Sequence, residues 1–386
     1  MFYYLSSLES VWGPLRLFHY ITFRAGGAFV TAFLIVLLVI PPFLPFFREH
    51  CVQKSPRLDG QPEKPKTPLM GGIFVVAAIV LAALLWGRIT ERTLIIFILS
   101  TLALAILGMV DDIIKTKHLR SERDGVKERT KMLVQAAIAV VALYLLYKTS
   151  GTVTMKVFFP FSRQPFQFLP GKEAIAVMVP FRSSSLFSLP LWAMPGCLLA
   201  MLGFNYLVLG GTSNGVNLTD GKDGLAAGCM FIASIAFSVV AYLNGHSVFA
   251  EYLGIPYVPQ AGEIGVFACA IAGASLGFLW HNSYPASIIM GDTGSLALGG
   301  ALAMIAIMLG QQLLLPIIGF VFFIETISVY LQRTSYRLRH GKKIFLCAPI
   351  HHHFERKGYP DNKITTGFWI VAILFAMFGL VTLKLR

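Results

Sequence analysis

Charged residues are scarce in this chain of 386 residues: they make up 13% of the sequence, and only 19 residues are acidic. A soluble globular protein carries about 25% charged residues, so the composition excludes that class. Hydrophobic residues instead account for 56% of the chain. These proportions indicate an integral membrane protein.

Cysteine is also sparse, and its spacing forms no motif. The five cysteines show neither a CxxC pair nor an obvious pairing, which argues against a disulfide framework and a cysteine-based zinc site. The sequence likewise has no tandem repeat and no low-complexity tract. We therefore expect one polytopic membrane domain over residues 1–386.

Ten apolar runs are each long enough to cross a bilayer as a helix, which takes roughly 20 residues. The first is too long for the core of a signal peptide and lacks a small-residue cleavage site, so it is interpreted as a retained anchor. The sequence thus predicts an all-α integral membrane protein with about ten transmembrane helices. The runs are residues 23–47, 70–87, 93–110, 132–147, 189–209, 224–243, 263–280, 287–309, 312–332 and 366–383.

The net charge of +13 could suggest a nucleic-acid partner, but the positions of the basic residues favour another explanation. Along alternate connections between the runs, 21 of the 32 Lys and Arg residues fall on one face. Cytoplasmic loops are the ones enriched in Lys and Arg. This face is therefore predicted to be cytoplasmic, with both termini periplasmic and no nucleic-acid partner. On the opposite face, prolines among aromatics in residues 150–188 predict irregular or short interfacial structure.

Five aspartates lie at the ends of apolar runs, all on the basic face. Carboxylates at membrane depth are costly, which makes these residues candidates for function. Glycines and amides beside them offer oxygen ligands for a hard cation and backbone that can approach a phosphate. The five are Asp111, Asp112, Asp220, Asp223 and Asp292.

The first acidic motif is DDIIK, at the end of the third run. Asp111 and Lys115 are four residues apart and share a helix face if that helix continues into the cytosol. Asp112 then points about a quarter turn away. A solvated helix end with an internal ion pair explains the same pattern equally well.

The second motif is SNGVNLTDGKDGLAAG. Asn214, Asn217, Asp220 and Asp223 recur every three residues among glycines, whose cost inside a helix predicts a Gly-rich turn leading into the sixth helix. Such a turn can direct amides at an anion and side-chain oxygens at a cation. A turn with an Asp cap on the next helix is the alternative. Lys222 could meet a phosphate or reach solvent.

The third motif is MGDTGSLALGG, with Asp292 near the start of the eighth run. Asp292 could be the structural partner of a lysine, but a third acidic motif on the same face favours a shared metal site. Asn282, shortly before it, could add a neutral amide contact. Magnesium suits these oxygen ligands best, because it commonly takes one or two carboxylates and completes its shell with water and substrate phosphates.

Two further segments of the basic face carry candidate anion contacts. His351, His352 and His353 cannot all face one point, which favours a loop presenting imidazoles to phosphate or sugar oxygens; a surface cluster is the alternative. Lys64 and Thr67 precede a helix start and could contact an anion. A basic anchor for acidic lipid headgroups explains the lysine nearly as well.

Together these residues describe a site for phosphoryl transfer between a soluble donor and a lipid acceptor. A secondary transporter is the competing class, but it predicts polar groups near the membrane midplane and an inverted repeat. Here the acids gather toward one face and no repeat is visible. We therefore favour an enzyme with an active-site cleft at the cytoplasmic face.

The chain resembles the phospho-N-acetylmuramoyl-pentapeptide transferase family from about Phe18 to the C-terminus. The His triplet separates this family from relatives that transfer an N-acetylhexosamine 1-phosphate from a different UDP-sugar, which remain the alternative enzyme class. The segments that carry the resemblance are TPLMGG, DDIIK, NGVNLTDGKDGLA, LWHNSYPASIIMGDTGSLALGG and APIHHHFE.

The resemblance implies a ten-helix fold, a homodimer, and a multi-pass enzyme of the bacterial inner membrane. It also implies transfer of phospho-MurNAc-pentapeptide from UDP-MurNAc-pentapeptide to undecaprenyl phosphate, a membrane lipid, with Mg2+ as cofactor. The products would be lipid I and UMP, in the first membrane step of peptidoglycan synthesis.

Residue by residue, the resemblance implies a catalytic set and a substrate-binding set. The catalytic set is Asp111, Asp112, Asp292, His351, His352 and His353, with the metal at Asp292 and Asp220. One aspartate of the first pair, preferably Asp111, would orient or deprotonate the lipid phosphate, or would itself be the nucleophile. The substrate contacts are Lys64, Thr67, Lys115, Lys131, Asn214, Asn217, Asp220, Asp223 and Asn282.

Three positions depart from the family pattern. Leu69 stands where a Thr is expected, Lys222 replaces an apolar residue, and His281 replaces a Phe. These departures bear on the donor contacts, above all on any hydrogen bond from the missing Thr hydroxyl. Since the acids and histidines are intact, we expect activity.

Overall fold

The computed structural model describes most of the chain as helices, with one small sheet. The helices are α1 (Ile21–His50), α2 (Gly72–Trp86), α3 (Arg92–Lys117), α4 (Glu128–Ser150), α5 (Met194–Thr219), α6 (Leu225–Gly245), α7 (Ser247–Leu253), α8 (Ala261–Asn282), α9 (Gly291–Met308), α10 (Leu315–Ile318), α11 (Phe320–Leu338), α12 (Ile350–Arg356) and α13 (Asp361–Thr382), preceded by 3-10 turns at Phe2–Leu8 and Gly13–His19. The described residues are 1–51, 67–117, 125–150, 156–157, 166–170, 174–178, 186–190 and 193–385.

Eight of these helices are long and apolar enough to cross a membrane: α1, α3, α4, α5, α6, α8, α9 and α13. The predicted run at 70–87 corresponds to α2, which has only 15 residues. The run at 312–332 is divided between α10 and α11 at Gly319, whose backbone leaves the helical region. The all-α membrane fold is confirmed, whereas the number ten stays a prediction.

Helix α9 forms the centre of the bundle, because every one of its residues is buried. It packs against α3 and α5, and more sparsely against α2. Glycines and alanines fill much of its sequence and let the neighbouring backbones approach closely. Its first residues therefore lie inside the bundle, next to the end of α3.

An ion pair fastens α1 to α8 near the starts of both helices. Arg24 Nη2 lies 2.7 Å from Glu263 Oε1, and the two side chains are 2% and 7% exposed. Glu263 also accepts a hydrogen bond of 2.8 Å from the backbone N–H of Arg88. The carboxylate therefore holds the α2–α3 connection as well as α1.

The predicted irregular structure between α4 and α5 is wrong for four short stretches. Strands β1 (Lys156–Val157), β2 (Phe166–Pro170), β3 (Ala174–Met178) and β4 (Leu186–Pro190) form an antiparallel sheet in chain order. Within these strands the prolines occupy only the last residues of β2 and β4. At strand ends proline interrupts little of the ladder, so its presence did not prevent pairing.

Candidate active site

Three carboxylates converge where α3 ends and α9 begins. Asp111 and Asp112 lie in the last turns of α3, and Asp292 lies in the first turn of α9. One oxygen from each of the three lies within 4.8 Å of the others. The exposed fractions of these residues are 1%, 0% and 6%, respectively. We call these three residues the Asp triad; two motifs 180 positions apart in sequence thus meet in one cluster.

Two glycines allow this approach. A Cβ on Gly108 would overlap the carbonyl oxygen of Asp292, so any other residue there would push α3 away from α9. Gly291 has φ +77°, and a Cβ there would lie 2.7 Å from Asp112 Oδ2. Both the backbone conformation and the space at this position therefore require glycine.

Asp112 caps the N-terminus of α9 through both of its carboxylate oxygens. Its Oδ1 accepts the backbone N–H of Asp292 at 3.0 Å, and its Oδ2 accepts the N–H and the hydroxyl of Thr293 at 2.9 and 2.6 Å. These donors include N–H groups that have no partner inside the helix. Asp112 thereby fixes where Asp292 projects.

Asp111 is held differently, by two lysines that it shares with Asp292. Lys115 Nζ lies 2.6 Å from Asp111 Oδ2 and 3.1 Å from Asp292 Oδ1. Lys131 Nζ lies 2.9 Å from Asp111 Oδ2 and also contacts Asp292 Oδ2. The remaining oxygen of Asp111 accepts the N–H of Val126 at 2.7 Å. Three carboxylates and two ammonium groups leave one net negative charge at this site.

The second motif is mostly helical, so the predicted Gly-rich turn is wrong for residues 211–219. Helix α5 runs through to Thr219, and only residues 220–224 form the turn. Gly215 packs so closely on α11 that a Cβ would lie 3.1 Å from the carbonyl oxygen of Phe322. Packing against α11 outweighs the low helix propensity of glycine.

The two asparagines of this motif therefore project from a helix. Asn214 donates hydrogen bonds to Gln135 Oε1 at 3.0 Å and to the carbonyl of Gly210 at 2.8 Å. Asn217 Oδ1 accepts the hydroxyl of Ser295 at 3.3 Å. Both side chains face neighbouring helices of the bundle, α4 and α9, and their predicted role as substrate contacts stays a prediction.

The 220–224 turn adjoins the Asp triad without being part of it. Asp220 Oδ2 accepts the N–H of Gly291 at 3.2 Å, and Asp223 Oδ2 accepts the N–H of Ala286 at 3.1 Å. Loss of solvation raises the pKa of Asp220 well above its usual value, and the negative charge of Asp292 raises it further. Asp220 is absent from the described carboxylates that converge within metal-binding distance.

Asn282 joins the turn to the segment before α9. The side chain is 2% exposed. Its Oδ1 accepts the N–H of Gly224 at 3.0 Å, and its Nδ2 donates to the carbonyl of Ile288 at 2.8 Å. Both ends of the amide thus bind backbone, which gives Asn282 a structural task whether or not it also contacts a substrate.

The His triplet lies on the short helix α12, where a loop was predicted. His351 is fully buried, with Nδ1 3.1 Å from Glu325 Oε2 of α11, at ion-pair distance but without the alignment of a hydrogen bond. His352 Nδ1 lies 2.7 Å from Glu355 Oε2. His353 Nδ1 accepts the N–H of Leu346 at 3.1 Å. The three rings face three different partners, as expected for consecutive residues.

Glu325 is the residue that sequence reasoning missed. It lies within the run FVFFIETISVY and is 0% exposed. A lone carboxylate in an apolar run is the same signal that identified the aspartates. No glycine or second acid accompanies Glu325, so the local sequence does not mark it as part of a site.

Known proteins match this chain over its whole length. It is 41% identical to a phospho-N-acetylmuramoyl-pentapeptide-transferase of Koribacter versatilis, over 97% of this chain and 96% of that protein. The enzymes of that name from Thermodesulfovibrio yellowstonii and Oleidesulfovibrio alaskensis are 38% and 40% identical, over 99% and 100% of both chains. The model of glycosyl transferase family 4 matches residues 94–310.

The chain belongs to the phospho-N-acetylmuramoyl-pentapeptide transferase family. It is therefore a membrane transferase of the glycosyl 1-phosphate class.

The TPLMGG segment of this transferase braces the start of α9. The N–H of Gly71 donates to the carbonyl of Ile289 at 2.8 Å, the N–H of Gly72 to that of Met290 at 2.9 Å, and the N–H of Ile289 to that of Pro68 at 2.9 Å. Leu69, where the resemblance predicts a Thr, is 7% exposed and joins the apolar core. Burial suits an apolar side chain at this position.

The other predicted contacts of this region are only partly located. Thr67 is half-buried at the start of the braced segment. Lys64 lies outside the described residues. Their roles as anion contacts stay predictions.

Proposed function

We propose that this transferase moves phospho-MurNAc-pentapeptide from UDP-MurNAc-pentapeptide to undecaprenyl phosphate, giving lipid I and UMP. The proposal is supported by full-length similarity to transferases of that name. The single structural observation that carries it is the Asp triad, bridged by two lysines where membrane helices α3 and α9 meet. Buried carboxylates and ammonium groups at a membrane boundary suit the transfer of a phosphoryl group to a lipid.

We further propose that the Asp triad holds Mg2+, chiefly through Asp292. The donor set consists of oxygens, which Mg2+ prefers, and the site carries one net negative charge. Asp112 accepts backbone N–H groups of α9 through both oxygens and so serves as a support, whereas the contacts of Asp292 are with the flexible side chains of Lys115 and Lys131. When bound, Mg2+ would offset the charge of the diphosphate. Asp220, the second predicted ligand, adjoins this set through Gly291.

The residues of the site have different roles in the proposed reaction. Asp111 is the better candidate to accept a proton from, or to orient, the lipid phosphate, because Asp112 is committed to the cap of α9. In a single displacement, an oxygen of undecaprenyl phosphate bonds to the β-phosphorus of the donor. The bond from that phosphorus to the bridging oxygen breaks, and UMP leaves. Lys115 and Lys131 lie where they can stabilise charge on the transferring oxygens.

A covalent route uses the same groups. In it Asp111 attacks the β-phosphorus first, the bond to the bridging oxygen breaks and UMP leaves. An oxygen of the lipid phosphate then attacks the same phosphorus and displaces Asp111, which releases the phospho-sugar to the lipid. We favour the single displacement. Acid quench without lipid acceptor should therefore trap no sugar-phosphate adduct on the protein, and recovery of such an adduct would replace this route with the covalent one.

We propose that the enzyme works in the bacterial inner membrane as a homodimer, with the Asp triad facing the cytoplasm and both termini in the periplasm. The excess of Lys and Arg on the loops of the triad's face supports this orientation. The family resemblance supports the dimer. Protease protection of tags at either terminus in sealed spheroplasts, and cross-linking in native membranes, would test the two statements.

Donor competition tests the proposed substrate. Purified protein receives undecaprenyl phosphate, Mg2+ and either UDP-MurNAc-pentapeptide or UDP-GlcNAc, and released UMP is measured. We expect UMP from the pentapeptide donor and little from UDP-GlcNAc. Preference for UDP-GlcNAc would assign the chain to a different sugar-phosphate transfer.

A further inference from the structure

Lys222 lies where the family resemblance predicts an apolar residue. Its two ion-pair partners belong to segments outside the Asp triad. Its side chain is 5% exposed, although it lies in the 220–224 turn between α5 and α6. Its Nζ lies 2.7 Å from Glu355 Oε1 and 2.6 Å from Asp361 Oδ1. The ammonium group therefore neither reaches solvent nor points freely toward a substrate.

These two contacts join three separate segments. Glu355 belongs to α12, the helix of the His triplet, and Asp361 is the first residue of α13. The second oxygen of Glu355, Oε2, lies 2.7 Å from Nδ1 of His352. A continuous chain of polar contacts thus runs from Lys222 through Glu355 to an imidazole of the triplet.

The 220–224 turn also contacts α12 at the residue next to Lys222. A Cβ on Gly221 would lie 2.6 Å from Nε2 of His351. The contact between backbone and ring sets the distance between turn and helix, while Lys222 supplies the attraction across it. A family member with an apolar residue in place of Lys222 lacks that attraction.

The charges of Lys222 and Glu355 are those that a lasting ion pair between the 220–224 turn and α12 requires. Burial by itself raises the pKa of Glu355, but hydrogen bonds from Lys222 and His352 lower it to about 2. Burial lowers the pKa of Lys222, and its bonds to Asp361 and Glu355 more than offset that effect and raise it. Both groups are therefore ionised at any pH at which a membrane enzyme is assayed.

We propose that Lys222 is a positioning residue: through Glu355 it holds α12 against the 220–224 turn and fixes the ring of His352 for contact with the nucleotide-sugar donor. The inference rests on the proposed function for its substrate, but the tether itself does not. Glu355 and Asp361 are 38% and 28% exposed, so water can solvate them when the lysine is removed. Loss of Lys222 should loosen α12 without unfolding the bundle.

The first experiment measures the tether without any substrate. Hydrogen exchange of the backbone amides of α12 is followed by mass spectrometry on the full-length protein in detergent. We expect Lys222→Leu to speed exchange in residues 350–356 by about tenfold, because locally opened segments exchange faster. Lys222→Arg should retain protection. Lys357→Leu, which removes an exposed lysine next to the same helix, is the matched control and should exchange like the wild type.

The second experiment measures the consequence for the donor. We expect Lys222→Leu to raise KM for UDP-MurNAc-pentapeptide by about tenfold, or 1.4 kcal/mol, with a smaller change in kcat and none in KM for undecaprenyl phosphate. Glu355→Ala should have a similar effect. The double variant should be no worse than Glu355→Ala alone, since both act through one chain of contacts.

The outcomes separate the tether from the proposed function. Unchanged exchange in Lys222→Leu overturns the inference. A double variant whose KM exceeds that of Glu355→Ala severalfold also overturns it, because Lys222 would then meet the donor directly. If the wild type releases no UMP from this donor, the proposed function fails. The exchange measurement then still decides whether Lys222 holds α12.

Discussion

Nε2 of His281 lies 3.0 Å from the carbonyl oxygen of Leu37, across the contact between α8 and α1. Helix α1 contains prolines at positions 41 and 42. A helical carbonyl normally accepts the N–H four residues later, and proline has none. His281 therefore occupies the place of a donor that Pro41 cannot supply, which gives a structural reason for a histidine where the sequence resemblance predicts Phe.

His281→Phe is expected to destabilise the transferase by about 1 kcal/mol, the typical worth of one hydrogen bond. Pro41→Ala restores the backbone donor, so in that background the same substitution should cost much less. Thermal unfolding of the four proteins in detergent measures both effects. An equal loss in the two backgrounds would show that the imidazole stabilises the protein in another way.

Gly108→Ala is expected to lower the rate of UMP release by about a hundredfold or more, because a small displacement of a catalytic group can cost that much. The added methyl group would overlap the carbonyl oxygen of Asp292 and push α3 from α9. Gly203→Ala, on an exposed side of α5 where an added Cβ meets nothing within 4 Å, is the control and should retain the wild-type rate. Equal rates for the two variants would contradict the close crossing.

Lys131→Met should have opposite effects on catalysis and on Mg2+ binding. UMP release should fall, since a group that stabilises the transferring oxygens is lost. The affinity for Mg2+ should rise about three- to tenfold, because the Asp triad then carries one more net negative charge. Thermal stabilisation by added MgCl2, without substrates, measures that affinity. Lys148→Met, at the far end of α4, is the control. If MgCl2 stabilised Lys131→Met less than the wild type, the result would contradict a cation site at the Asp triad.

Glu263→Ala should cost about 3–5 kcal/mol of stability, because it leaves Arg24 buried without its partner. The double variant Arg24→Met/Glu263→Met should recover most of that loss, since no charge remains buried. Thermal unfolding measures both, and Glu251→Ala, an exposed acid of α7, is the control. A double variant as unstable as Glu263→Ala would mean that the pair contributes more than charge compensation.

The sequence predicted the features that depend on composition and on the free-energy cost of placing a carboxylate at membrane depth. Apolar runs long enough to span a bilayer predicted the helices, and acids at their ends predicted the meeting of Asp111, Asp112 and Asp292. The four-residue spacing likewise predicted the contact between Asp111 and Lys115.

Features that depend on tertiary packing could not be predicted in the same way. The helical state of Asn214 and Asn217 depends on the close approach of Gly215 to α11, which no local pattern reveals. The contact of Glu325 with His351 depends on how α12 packs against α11, which the sequence of either helix does not reveal. Lys222 contacts Glu355 and Asp361 because the bundle brings these residues together. The sequence alone therefore could not decide whether Lys222 meets a phosphate or reaches solvent.

The most direct test of the account is UMP release by purified protein with both substrates as Mg2+ is varied, compared between the wild type and Asp292→Asn. The substitution preserves the shape of the side chain and removes one carboxylate of the Asp triad, while Glu251→Gln removes an exposed acid elsewhere. We predict Mg2+-dependent release by the wild type and the control, and a fall of about a thousandfold or more in Asp292→Asn. An unchanged rate in Asp292→Asn would contradict the proposal that this triad holds the metal and carries the reaction.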